Sequence, residues 1–256
     1  LGCNWKENAP MKKWLKRIAL GIILLVLVAS VAFVWWGTHP LEAMPEAIKA
    51  QESDHRVLII PKKRIVFWPH ENSPQMGVIL YPGGHVDPIA YAPLAREIAL
   101  EGNMVVIPRM PLNLAVFDIK VADEIMQATP DIETWVIGGH SLGGAMAAEY
   151  VAANPSSVEG LFLWASYPAK NTDLSGLADL QVLSIYGTED GGVEDIRASR
   201  QRLPQNTRWV EMEGANHAQF GWYGEQPGDG EATISREEQQ ELIVESTLAF
   251  LQAIER

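Results

Sequence analysis

The chain has 256 residues, 47% of them hydrophobic and 20% charged, an ordinary globular balance that excludes a disordered chain, a collagen-like repeat or a disulfide scaffold. Its net charge of −12 argues against a nucleic-acid partner, because affinity for phosphate comes mainly from Lys and Arg gathered on one face. The single cysteine, Cys3, forms no internal disulfide, so a buried core must hold the fold together.

The charge is unevenly placed. Residues 1–36 carry Lys6, Lys12, Lys13, Lys16 and Arg17 against one acid, Glu7, so this stretch stands at +4 and the remaining 220 residues at −16. Residues 18–36 form a run of 19 without a charge, close to the roughly 20 needed to cross a bilayer core. Bases precede the run and none follows closely, which predicts a basic cytoplasmic segment at 1–17, a transmembrane anchor at 18–36 and an extracytoplasmic remainder. Trp14 at one end, with Trp35 and Trp36 at the other, suits the two interfaces. A cleaved signal segment is the alternative, since Ser30-Val31-Ala32 is a small-x-small site, and the domain is exported and secreted on that reading. A buried core helix is the third reading, disfavoured because such helices usually keep a polar stripe. Met11-Lys12-Lys13 looks like a natural start, with residues 1–10 as an upstream extension.

Residues 37–54 read as a juxtamembrane linker and 55–256 as one domain. Runs at 57–60 and 65–68 predict a leading strand pair, with Pro61 and Pro69 as punctuation. Continuous apolar runs at 77–81, 104–107, 135–137, 161–164 and 182–186 predict strands buried on both faces. Helical patterns lie between and after them at 91–100, 118–128, 142–153, 193–202 and 235–254, and a further strand is expected at 208–212. Strands separated by helices imply right-handed crossovers and a mostly parallel sheet with helices on both faces, whose ligands bind at the carboxyl ends of the strands.

Three strand ends carry chemistry. Gly139-His140-Ser141-Leu142-Gly143 matches G-x-S-x-G and falls between a predicted strand and a predicted helix, where a serine on a strained turn needs small neighbours. A serine hydroxyl requires a base, and a carboxylate must orient that base. His217 is the one histidine after Ser141 and follows the strand at 208–212. For the acid, the turn after 182–186 offers Asp190, with Glu189 and Asp195 as alternatives and helix capping as its bland reading. Donors for the developing oxyanion are expected from the Leu142 N–H and from the loop Tyr81-Pro82-Gly83-Gly84-His85, where Gly84 is first choice and His85 second.

With these residues assembled, the chain resembles the α/β-hydrolase family, and within it a compact membrane-anchored bacterial subgroup marked by YPGG, MPLNLAVF, GHSLGG and NHAQFG. The resemblance spans Val57 to the C-terminus and implies Ser141 as nucleophile, Asp190 as acid, His217 as base, and Gly84 with Leu142 as oxyanion hole. It departs at the first oxyanion loop, where the familiar His-Gly is Pro82-Gly83. About eighteen residues separate the strands at 161–164 and 182–186, too few for a large helical lid, so a small or absent lid is expected. His85, Asn113 and Phe220 are expected to contact substrate, the last two in apolar stretches that could wall an acyl pocket.

No Cys/His cluster or phosphate loop is present, so neither cofactor nor metal is expected. The function read from these residues is hydrolysis of carboxylic esters of small to medium acyl chain, a small-molecule substrate, through an acyl-enzyme. Amide or peptide hydrolysis by the same triad is the second reading, and a non-catalytic membrane-tethered binding module the third.

Overall fold

A computed structural model of the protein describes residues 9–70 and 73–255, with side chains from residue 14 onward. The first eight residues of the expected basic segment, Cys3 among them, lie outside the described residues. The chain divides into two units, Leu1–His39 and Pro40–Arg256.

The first unit is one helix, α1 (Ala9–Gly37). Its stretch Trp14–Gly37 is 24 residues long and apolar enough, by length and composition, to cross a membrane, and its described side chains show no buried stripe.

The second unit is built on eight strands: β1 (Val57–Pro61), β2 (Arg64–Pro69), β3 (Met76–Tyr81), β4 (Met104–Pro108), β5 (Thr134–His140), β6 (Gly160–Trp164), β7 (Gln181–Gly187) and β8 (Arg208–Met212). They lie in the order β1-β2-β4-β3-β5-β6-β7-β8. The short Lys62-Lys63 connection can only return the chain, so β1 and β2 pair antiparallel, and β2 is antiparallel to β4. Every later pairing is parallel, with helix in each crossover except the one between β6 and β7. Strand alternation divides the core in two: Val78 and Leu80 face α3 (Ala92–Leu100) and α7 (Arg236–Ile254), whereas Ile79 and Tyr81 face α4 (Val121–Gln127) and α5 (Leu142–Ala153).

Three boundaries differ from the sequence reading. The helix expected at 118–128 begins at Val121, because Asp118 has non-helical backbone (φ −151°, ψ 56°) after a 3-10 turn at Ala115–Phe117. The helix expected at 193–202 is α6 (Val193–Ala198), followed by a 3-10 turn at Ser199–Arg202. The expected linker at 37–54 is, from Pro40 onward, part of the compact unit. Leu41 bridges to Val86, Ala43 to Tyr223, and α2 (Pro45–Lys49) buries Ala47 completely. Residues 50–54 are held as well, since Arg96 donates to the carbonyls of Ala50 and Glu52 and pairs with Asp54. The Asp54 carboxyl is pulled down to about 2, first by the N–H groups of Val57 and Arg56 and then by Arg96. Between β6 and β7, residues 165–180 run as turns and loop, with no helix.

At the carboxyl edge of the sheet five non-glycine residues take positive φ: His85 after β3, Leu112 and Asn113 after β4, Ser141 after β5 and Ala165 after β6. Left-handed backbone is costly for L-residues, so its recurrence at successive strand ends marks where the chain is bent for a purpose other than stability.

Candidate active site

Ser141 sits at φ 52°, ψ −122°, on the bend between β5 and α5. The bend is possible because β3 and β5 are neighbours and glycines, Gly139 and Gly143, stand where the elbow passes the end of β3. A Cβ on Gly139 or on Gly143 would land on the Tyr81 carbonyl oxygen, well inside contact distance. The elbow is tied down from β6: the Ser141 N–H donates to the Trp164 carbonyl (3.0 Å), and the Ser166 hydroxyl donates to the Ser141 carbonyl (2.6 Å).

Asp190 and His217 meet at the ends of β7 and β8. Nδ1 of His217 lies 2.9 Å from Oδ2 of Asp190, whose side chain is 1% exposed. The other carboxylate oxygen accepts the Gly192 N–H at 2.6 Å, so the acid is fixed at both ends. With Nδ1 donating to the carboxylate, Nε2 of His217 is the acceptor. It is buried without a hydrogen-bond partner, and no hydrogen bond joins it to the Ser141 hydroxyl. Such bonds often close only around a substrate.

The loop after β3 sorts its own amides. The Gly83 N–H donates to the Tyr91 hydroxyl (3.0 Å) and the His85 N–H to the Asn113 carbonyl (2.8 Å). The Gly84 N–H, between them, donates to no acceptor among the described residues. Gly84 lies against Leu142, since a Cβ there would fall 2.9 Å from the leucine Cδ2. These two backbone segments and Ser141 border one cleft of about 480 Å³, lined also by Leu41, His85, Val86, His140, Gln226 and Pro227.

Of the expected substrate contacts, His85 lines this cleft, whereas Asn113 and Phe220 do not. Asn113 serves through its backbone carbonyl, which occupies the His85 N–H. Phe220 is fully buried and stacks on His140 (centroids 5.6 Å apart, planes at 11°), because burying a phenyl ring beside another ring gains roughly 1.5–3 kcal/mol over leaving it at a wall.

Several supports carried no signal in the sequence. Asp229 accepts the N–H groups of His217 and Ala218 at 3.0 and 2.7 Å. Gln239, buried on α7, grips Asn216 through both ends of its amide, and Arg236 donates to the carbonyls of Ala218 and Gly221. Leu41 bonds the loop after β3 in both directions, to His85 and from Asp87. The Gly-rich spelling around 228–230 marks a turn but does not reveal what its aspartate caps. Among the described residues no three His, Cys, Asp or Glu side chains gather as a metal-ligand set.

Solved structures share the fold. An arylesterase superposes with a TM-score of 0.57 at 13% identity over 80% of this chain and 87% of that one. A dienelactone hydrolase from Anabaena variabilis ATCC 29413 gives 0.55 at 16% identity over 76% and 99%. The esterase domain of a Rhodothermus marinus protein gives 0.54 at 15% over 76% and 96%. At such identities the likeness is one of fold, and no curated protein matches the sequence. The sequence model of the alpha/beta hydrolase family matches residues 77–241, from the start of β3 into α7, a span that takes in the serine elbow, the acid turn and the histidine loop; the chain belongs to that family.

Proposed function

We propose that the protein is a serine hydrolase of carboxylic esters with small to medium acyl chains. The carrying observation is the convergence at one sheet edge of a strained serine, a histidine bonded to a buried carboxylate, and the backbone at Gly84 and Leu142, which borders one cleft with the serine. Ser141 Oγ attacks the ester carbonyl while His217 Nε2 takes its proton, and the tetrahedral oxyanion is met by the N–H groups of Gly84 and Leu142. His217 then returns the proton to the departing alkoxide, leaving an acyl-serine that water hydrolyses by the reverse roles. Asp190 holds the imidazole in the Nδ1–H form throughout. The residues lining the cleft include no Lys, Arg, Asp or Glu, which suits an uncharged acyl group. We further propose that residues 18–36 anchor the enzyme with its catalytic domain on the extracytoplasmic side.

The test is a fluorophosphonate probe together with a p-nitrophenyl ester series. Wild-type protein should be labelled and hydrolyse short-chain esters, and Ser141→Ala should lose both while keeping its melting temperature. An unlabelled, inactive wild type would favour the binding-module reading, and turnover confined to amides the second hydrolytic one.

A further inference from the structure

A buried hydrogen-bond path runs beneath the proposed site, and the steps above give it no task. Tyr91, wholly buried beside the start of α3, has its hydroxyl between two groups: it accepts the Gly83 N–H at 3.0 Å and lies 2.8 Å from Nδ1 of His140. A phenol carries one proton, and burial pushes its ionisation far above the usual range, so the proton stays. With its oxygen already accepting from Gly83, the Tyr91 hydroxyl donates to His140 Nδ1. That places the remaining imidazole proton of His140 on Nε2, which is buried and has no hydrogen-bond partner of its own. Desolvation, and then the neighbouring His217, hold His140 well below the ordinary histidine range, so the ring is neutral. Its ring packs on Phe220 and lies 4.5 Å, centroid to centroid, from His217.

The path therefore joins the two halves of the machinery from below. One end fixes a peptide of the oxyanion loop, and the other fixes the ring against which the catalytic imidazole rests. On the hydrolase reading given above, we infer that Tyr91 is a positioning residue of the oxyanion hole: its hydroxyl holds the Gly83 amide so that the next amide, Gly84, is left to the substrate, and sets His140 in the Nε2–H form as the bed for His217. Packing alone does not account for the hydroxyl. A phenylalanine would fill the same volume, yet the tyrosine oxygen satisfies a buried N–H and a buried ring nitrogen at once, each costly to leave unmet.

Tyr91→Phe tests this directly. Removing one oxyanion donor outright costs about 10²–10³ in turnover, and loosening one should cost about tenfold or more. The expected result is a kcat at least tenfold lower with KM within about twofold. Affinity for a trifluoromethyl ketone, whose adduct carries the oxyanion, should fall by a similar factor, and affinity for a non-reactive ether analogue should hold. A kcat within twofold of wild type, or a change confined to melting temperature, would overturn the assignment. Should the variant fail to fold, nitrogen-15 NMR of the full-length wild type in detergent decides: His140 must be unprotonated at Nδ1, and an Nδ1–H form sinks the inference. Wild-type protein that hydrolyses nothing would bring down the hydrolase reading itself, whereas an active wild type with an unimpaired Tyr91→Phe removes only the role given to Tyr91.

Discussion

At the scale of single residues, His217, the base of the proposed reaction, has to be held as well as reached. The imidazole of His217 touches its acid, but its backbone is held by another carboxylate, Asp229, which takes two consecutive N–H groups. Hydrogen bonds to a charged group contribute about 1.5–3 kcal/mol each, and leaving part-buried donors unmet costs a similar amount. Asp229→Ala should therefore lower the melting temperature and reduce kcat by about tenfold, because small displacements of a catalytic group are costly. Asp229→Asn, which keeps one acceptor oxygen, should lose less of both. Thermal melts and short-chain ester kinetics on the pair check this, and equal losses in the two variants would count against it. The bend at Ser141 and the pairing of Asp190 with His217 were legible because an elbow motif and chain order constrain them. Phe220 does not line the cleft: a ring next to a loop histidine suggests a wall, whereas the 3-10 turn Ala218–Phe220 buries it against His140. Tyr91 and Asp229 were illegible, since both act on backbone groups that have no spelling.

Among the elements, the buried parallel strands were read nearly to the residue, because continuous apolar runs bounded by turns leave little choice. The segment 40–54 was not, since it enters the fold through single bridges, a five-residue helix and side chain to carbonyl bonds, none with a period. Its place has a practical consequence. A chain beginning at Pro40 should fold and hydrolyse esters like the full-length protein. One beginning at His55, the boundary expected from sequence, removes Leu41 and Met44, whose backbones bond His85, Asp87 and Trp222, and strips Arg96 of Asp54. It should melt lower and lose most of its kcat. Parallel melting curves and turnover numbers for the two truncations decide, and an intact His55 variant would show the segment to be ornamental.

For the whole molecule, the helix Trp14–Gly37 poses a binary question that fractionation answers. If it is an uncleaved anchor, full-length protein should remain in the membrane pellet after an alkaline carbonate wash. Release into the supernatant with a new N-terminus near Ala32 would favour the cleaved signal. Charge asymmetry predicts an orientation, and the length of the run favours an anchor over a cleaved signal.

The five left-handed residues along the carboxyl edge bear on how such a protein can adapt. At about 1–2 kcal/mol each, they represent a sum comparable to the whole 5–15 kcal/mol margin of a typical domain. Selection for heat tolerance acting on this chain would find its easiest gains at these positions, by substitution to glycine or by relaxing the loops around them. In the proposed mechanism those same bends aim the serine and leave the Gly84 amide to the cleft, so the quickest route to a hardier protein leads away from a working one.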